Sequence, residues 1–173
     1  MLERADNQAK FVTAVCVNIA TDNRLSWARA GHYPPWLLPE GHPLDGDQPG
    51  HPLGIGEPHL GLTPASRSLN PGAGIVLFTD GLPEGRPAHR DPSVPLELYG
   101  EQRIRAILTA HQDAAADQIV DTLSTAVTNF AGGHLADDVC IIACRTTSVP
   151  PPPASAPNTN QQRSATTGHK PIS

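Results

Sequence analysis

The sequence predicts an α+β fold in which helices pack on antiparallel strands. Three observations lead there: two β-type runs joined by a polar turn cluster near the start, an uninterrupted apolar strand mid-chain, and two helical periodicities followed by a last strand. Regular strand–helix alternation would have predicted a parallel sheet instead. A length of 173 residues suffices for one domain with its own core.

Residues Phe11 to Ile19 (FVTAVCVNI) are rich in β-branched side chains and end at Ala20-Thr21-Asp22-Asn23, a cluster suited to a hairpin turn. Leu25 to Ala30 alternates Leu25, Trp27 and Arg29 against Ser26, Ala28 and Ala30, the pattern of a strand antiparallel to the first. Tyr33-Pro34-Pro35 interrupts pairing, because proline has no amide to donate. Trp36-Leu37-Leu38 then resumes as a short strand until Pro39-Glu40-Gly41 turns it.

Residues 42–58, dense in Gly, Pro and His, read as a surface loop whose apolar patch is Pro52-Leu53-Gly54-Ile55-Gly56. Gly74 to Phe78 (GIVLF) reads as a buried strand, entered through Pro71-Gly72 and closed by Thr79-Asp80-Gly81. The spacing of Ile104, Ile107 and Leu108 predicts a helix over Glu101 to Ala110. That of Ile119, Val120, Leu123, Val127 and Phe130 predicts a second over Ala114 to Phe130, broken at Gly132-Gly133. Val139 to Ala143 (VCIIA) reads as a last buried strand, entered directly from Asp137-Asp138. Beyond Arg145 the chain turns to Pro, Ser, Thr, Asn and Gln without apolar periodicity. Residues 147–173 are therefore expected to be a disordered tail, and residues 1–146 the folded unit.

The net charge is −5, and the 12 Lys and Arg residues form no basic stripe, which argues against a nucleic-acid partner. Cys16, Cys140 and Cys144 sit in apolar runs and form no CxxC pair, so they are expected to be reduced core residues and not a disulfide or zinc set. Cys140 and Cys144 would lie roughly 13 Å apart along one strand, too far to bridge. No apolar run approaches the roughly 20 residues that span a bilayer. The start, MLERADNQAK, lacks the apolar centre of a signal peptide, so a cytoplasmic protein is expected.

Asp80 ends one buried strand and Asp137-Asp138 begin another. If those strands are antiparallel neighbours, the three carboxylates share one sheet edge, where their mutual repulsion suits a hard cation such as Mg²⁺ or Mn²⁺. Gly81 leaves room beside them. On local pattern alone, an Asp-Gly after a strand is more often a plain turn, and Asp-Asp before one a solvated loop end. His32 is expected to be a structural hydrogen-bonding group, and the other histidines lack ligand spacing. Gly72-Ala73-Gly74 precedes its strand, whereas a dinucleotide-binding fingerprint follows one.

The ordered set of segments is more specific than any one of them. FVTAVCVNI, LSWARAGHYPPWLL, HPLGIG, NPGAGIVLFTDGLPEG, LYGEQRI and AGGHLADDVCIIACR, in this order and spacing, resemble the SpoIIE-type branch of the metal-dependent (PPM) serine/threonine protein phosphatases over roughly residues 5 to 146. The resemblance implies an α-β-β-α sandwich, incomplete at the N-terminus. It implies two Mn²⁺ or Mg²⁺ ions with Asp80, Asp137 and Asp138 among their ligands, and a metal-bound water as nucleophile with no catalytic side chain. The implied substrate is a phosphorylated protein, an anti-sigma-factor antagonist in a bacterial partner-switching pathway.

Family members carry a further acidic-Gly motif ahead of the segment matching FVTAV, and nothing in Met1 to Lys10 matches it. Asp80 and Asp137 alone are then too few ligands for two ions. Loss of sheet neighbours would leave open edges and an uncovered apolar face, inviting a missing N-terminal half or self-association. A non-catalytic protein-binding module, working through residues 42–58 and the open edge, is the alternative function.

Overall fold

The computed structural model describes residues 11–55, 61–89, 93 and 95–146. In chain order the elements are β1 (Ala14–Ile19), β2 (Arg24–Ala30), β3 (Trp36–Leu38), β4 (His42–Pro43), β5 (Ala65–Ser68), β6 (Gly74–Phe78), α1 (Gly100–Ala110), α2 (Ala116–Phe130) and β7 (Ile141–Arg145). The β1–β2 hairpin turns through Asn23, whose φ of 62° asparagine tolerates better than most residues. β5 pairs with the other side of β2, giving one sheet of order β1-β2-β5. The second sheet has order β4-β3-β6-β7, and every pairing in both is antiparallel.

Period-two alternation sends each strand of the second sheet into two cores. Leu37 and Ile75, with half-buried Leu77 and Cys144, face the first sheet and pack on Leu25, Trp27, Val17 and Ile19. Trp36, Leu38, Val76 and Phe78 face the opposite way, onto Ile104 and Leu108 of α1 and Ile119, Leu123 and Val127 of α2. The Gln118 side chain accepts the Ala115 N–H at 3.0 Å where α2 begins, and α2 stops before Gly132 and Gly133, both at positive φ. The described residues thus form three layers: sheet, sheet, helices. Neither helix packs on the outer face of the first sheet, whose outward positions include Cys16, Asn18, Ser26, Ala28, Ser66 and Ser68.

The α+β reading holds, with several corrections to detail. β1 begins at Ala14; ahead of it Val12 makes only an isolated bridge to Leu53. β5 was not foreseen, because ASRS has no apolar alternation and pairs only as an edge. β7 starts at Ile141, two residues later than predicted, and as an edge strand it is half-exposed. The described part of the loop 42–58 is tied down, through β4, the Gln48–Thr63 bridge and the Val12–Leu53 bridge.

The cysteines are not all core residues. Cys16 and Cys140 are exposed, Cys16 because it points outward from β1, while burial raises the pKa of half-buried Cys144 despite an opposing hydrogen bond from Ile75. β1 and β6 lie in different sheets. The outward positions of β1, β2 and β5 carry small side chains and not the broad apolar surface expected. Residues 147–173 lie outside the described residues.

Candidate metal centre

The β6–β7 ladder runs from Gly74↔Arg145 to Phe78↔Ile141, and the chain leaves its last rung on both sides into acidic segments. Thr79 extends the pairing beyond the ladder. Its amide donates to the Cys140 carbonyl at 3.1 Å, its hydroxyl donates to the Asp138 carbonyl at 3.0 Å, and the Cys140 amide donates to that hydroxyl at 3.0 Å. These bonds hold the backbones of Thr79-Asp80 and Asp138 together. At Gly81 an added Cβ would stand 2.5 Å from the Asp138 carbonyl oxygen, closer than any real Cβ contact, so only glycine fits.

All three predicted carboxylates are therefore at one end of the β6–β7 pair, exposed to solvent. Asp80 Oδ1 accepts the Gly81 amide at 3.0 Å, and Asp137 Oδ1 accepts the Asp138 amide at 2.8 Å. Among the described residues no three His, Cys, Asp or Glu side chains come close enough together to hold a metal ion. The donors present are hard carboxylate oxygens open to water, the ligand type that suits Mg²⁺ or Mn²⁺.

Three residues of the site were missed. Glu84 returns to Asp80 by a single turn, its amide donating to the Asp80 carbonyl at 2.9 Å; the i to i+4 spacing in DGLPE was the available signal. Glu84 and Arg86 line a cavity of about 150 Å³ with Gly81, Gly85, Ala136 and Asp137. Tyr33 stacks at 5.9 Å on Phe78, and its hydroxyl pKa is raised by burial first and then by the charges of Glu84, Glu101 and Asp80. No local pattern in GHYPP announces that approach. His32 is excluded from this set: its Nδ1 lies 3.0 Å from the Thr13 hydroxyl, a structural contact at the start of β1.

The family model described as Stage II sporulation protein E (SpoIIE) matches residues 1–147. The chain belongs to the SpoIIE family. No curated protein matches it. Among solved structures, it is similar to the Mn-presoaked phosphatase domain of the cell fate determinant SpoIIE from Bacillus subtilis, with TM-score 0.58 and 16% identity over 81% of this chain and 59% of that one. It is also similar to the SiaA-PP2C domain of Pseudomonas aeruginosa, with TM-score 0.60 and 19% identity over 77% of this chain and 51% of that one. A third likeness is to the RsbU and RsbW domains of Rv1364c from Mycobacterium tuberculosis, with TM-score 0.50 and 25% identity over 75% and 35%. This SpoIIE-family chain has the PP2C fold and spans about 59% of the Bacillus domain. No helix among its described residues is long and apolar enough to cross a membrane.

Proposed function

We propose that this chain contributes the β6–β7 side of a Mn²⁺- or Mg²⁺-dependent protein phosphatase centre acting on phosphoserine or phosphothreonine. The observation that carries the reading is that the two segments leaving one end of the β6–β7 ladder, Thr79-Asp80 and Asp137-Asp138, are tied together there in a SpoIIE-family chain. Asp80 and Asp137, with Asp138 beside them, would hold the metal. When bound, the ions supply an acidified water and offset charge on the phosphoryl oxygens. The chain's own part is positioning: the Thr79 hydrogen bonds and the close approach at Gly81 fix the carboxylates' backbones. A phosphorylated anti-sigma-factor antagonist is the proposed substrate and the cytoplasm the proposed compartment, both resting on family resemblance.

Phosphopeptide hydrolysis tests this, measured with and without Mn²⁺ on the chain in its native gene context. Activity that requires Mn²⁺ and falls at least 100-fold in Asp80→Asn is expected, on the scale of losing a principal electrostatic contributor. Activity indifferent to chelator, or unchanged in Asp80→Asn, refutes it. One observation favours a second reading, a non-catalytic binding module: no three ligating side chains converge among the described residues, while β1 and β7 end their sheets as open edges. Binding of two Mn²⁺ ions by the 173-residue chain alone would exclude that module.

A further inference from the structure

Among the described residues the 150 Å³ cavity beside Asp137 is lined by one cation, Arg86, and it is the feature of the site that metal binding leaves unexplained. A wall made only of Gly81, Glu84, Ala136 and Asp137 would repel a phosphate dianion. Dianion and carboxylates could share the space only with positive charge between them. The volume is well below the roughly 300–1,000 Å³ of sites for drug-sized ligands, and fits a small group.

The backbone around Arg86 is fixed on both sides. Gly85 is buried, its amide donates to the Leu82 carbonyl at 3.4 Å, and its carbonyl accepts the Tyr99 amide at 2.8 Å. An added Cβ at Gly85 would meet Val127 of α2 at 2.7 Å, so this residue is pressed against the helix layer. Two residues beyond Arg86, the Ala88 amide donates to the Phe130 carbonyl at the end of α2, at 3.0 Å. The side chain between these anchors is exposed.

Among the described residues its guanidinium is also uncommitted. Arg29 is paired with Asp47, Arg103 with Glu97 and the Tyr99 carbonyl, and Arg145 with three carbonyls. Arg86 makes no hydrogen bond or ion pair among the described residues, although Glu84 and Asp137 line the same cavity. A guanidinium presents a planar fork that matches two phosphate oxygens at once.

We propose that Arg86 binds the phosphoryl group of the substrate, its guanidinium taking two non-bridging oxygens beside Asp137. The proposal rests on the phosphatase reading for the substrate, and its test separates the two. Inorganic phosphate and a phosphoserine peptide are titrated calorimetrically into the full chain, with and without Mn²⁺, for wild type, Arg86→Ala and Arg86→Lys; Mn²⁺ is titrated separately. Circular dichroism checks that the variants fold, as expected for an exposed side chain. Phosphate affinity should fall about 10- to 100-fold in Arg86→Ala, the scale of a charge-assisted hydrogen bond, with an intermediate loss in Arg86→Lys and unchanged Mn²⁺ affinity. Phosphate binding equal in wild type and Arg86→Ala, or absent from wild type both with and without Mn²⁺, overturns the proposal. Arg86-dependent phosphate binding by a chain that takes up no Mn²⁺ supports it and overturns the metal reading alone.

Discussion

Replacing Asp47 by alanine should cost this protein about 3–5 kcal/mol, the range for stranding one charge of a buried pair. Asp47 lies in the loop after β4, yet its side chain is 0% exposed and that of Arg29 on β2 only 15%. The guanidinium grips the carboxylate with both arms, Nε to Oδ2 at 2.7 Å and Nη2 to Oδ1 at 3.0 Å, while Nη1 donates to the His32 carbonyl at 3.3 Å. Two charge-assisted bonds at about 1.5–3 kcal/mol each give the same magnitude independently. Burial pushes the Asp47 carboxyl upward, but the Arg29 hydrogen bonds, the nearby Trp27 indole N–H and the Arg29 charge outweigh it, and the net direction is down. A lowered native value means that the pair's stabilisation is fully present above the ordinary carboxyl value of about 3.9 and is lost as pH falls through the lower native one. Urea unfolding followed by tryptophan fluorescence, with Trp27 beside the pair as reporter, measures both effects. A loss under about 1 kcal/mol, the size of an exposed ion pair, would refute the buried-pair argument. So would an acid sensitivity that Asp47→Ala leaves unchanged.

Gly81→Ala should disturb the site more than the fold. The added Cβ must push the Asp138 carbonyl from 2.5 Å, an overpacking cost of about 1–3 kcal/mol, and Mn²⁺ affinity measured by titration should weaken; unchanged affinity would show that the close approach is not what sets the ligands. Residues 147–173 are proposed to be dispensable for folding, so brief proteolysis should stop near Arg145 and leave the melting temperature unchanged. A marked drop in stability on deleting them would count against this.

Much of the fold was legible because its strands carry strong local patterns. GIVLF and WLL are buried on both faces and announce themselves as apolar runs, and the two helices show the 3.6-residue period that their packing on one sheet demands. Elements whose pairing depends on a neighbour were poorly legible. ASRS becomes β5 only because β2 offers it an edge, and Val139-Cys140 read as strand although the ladder ends at Ile141 and Cys140 is held by one backbone bond and the Thr79 hydroxyl. The acidic pair ahead of β7 and the Asp80 turn could be placed at one sheet edge from sequence, since antiparallel pairing of two neighbouring strands brings the start of one beside the end of the other. Arg86, Glu84 and Tyr33 could not, because the turn, the loop and the helix layer that bring them in are tertiary features.

The two sheets are not equal supports for this site. The second sheet is held from both sides, by the helices over Val76 and Phe78 and by the first sheet over Ile75, and the candidate site lies at the end of its central and edge strands. Among the described residues the first sheet is packed on one face only. Its outer face presents small side chains, its strands end at the open edges of β1 and β5, and Cys16 and Asn18 meet water. Local opening follows the fewest buried contacts, so the first sheet should open at lower free energy than the second. Loosening of β1 would release the Thr13–His32 contact and the Val12–Leu53 bridge before it reached Thr79, because among the described residues the hydrogen bonds of Thr79, Asp80 and Asp138 run to one another and to their neighbours, not to β1. The carboxylate frame thus depends on the helix-backed sheet, and its geometry should persist in partly opened states of the chain in which the first sheet no longer does.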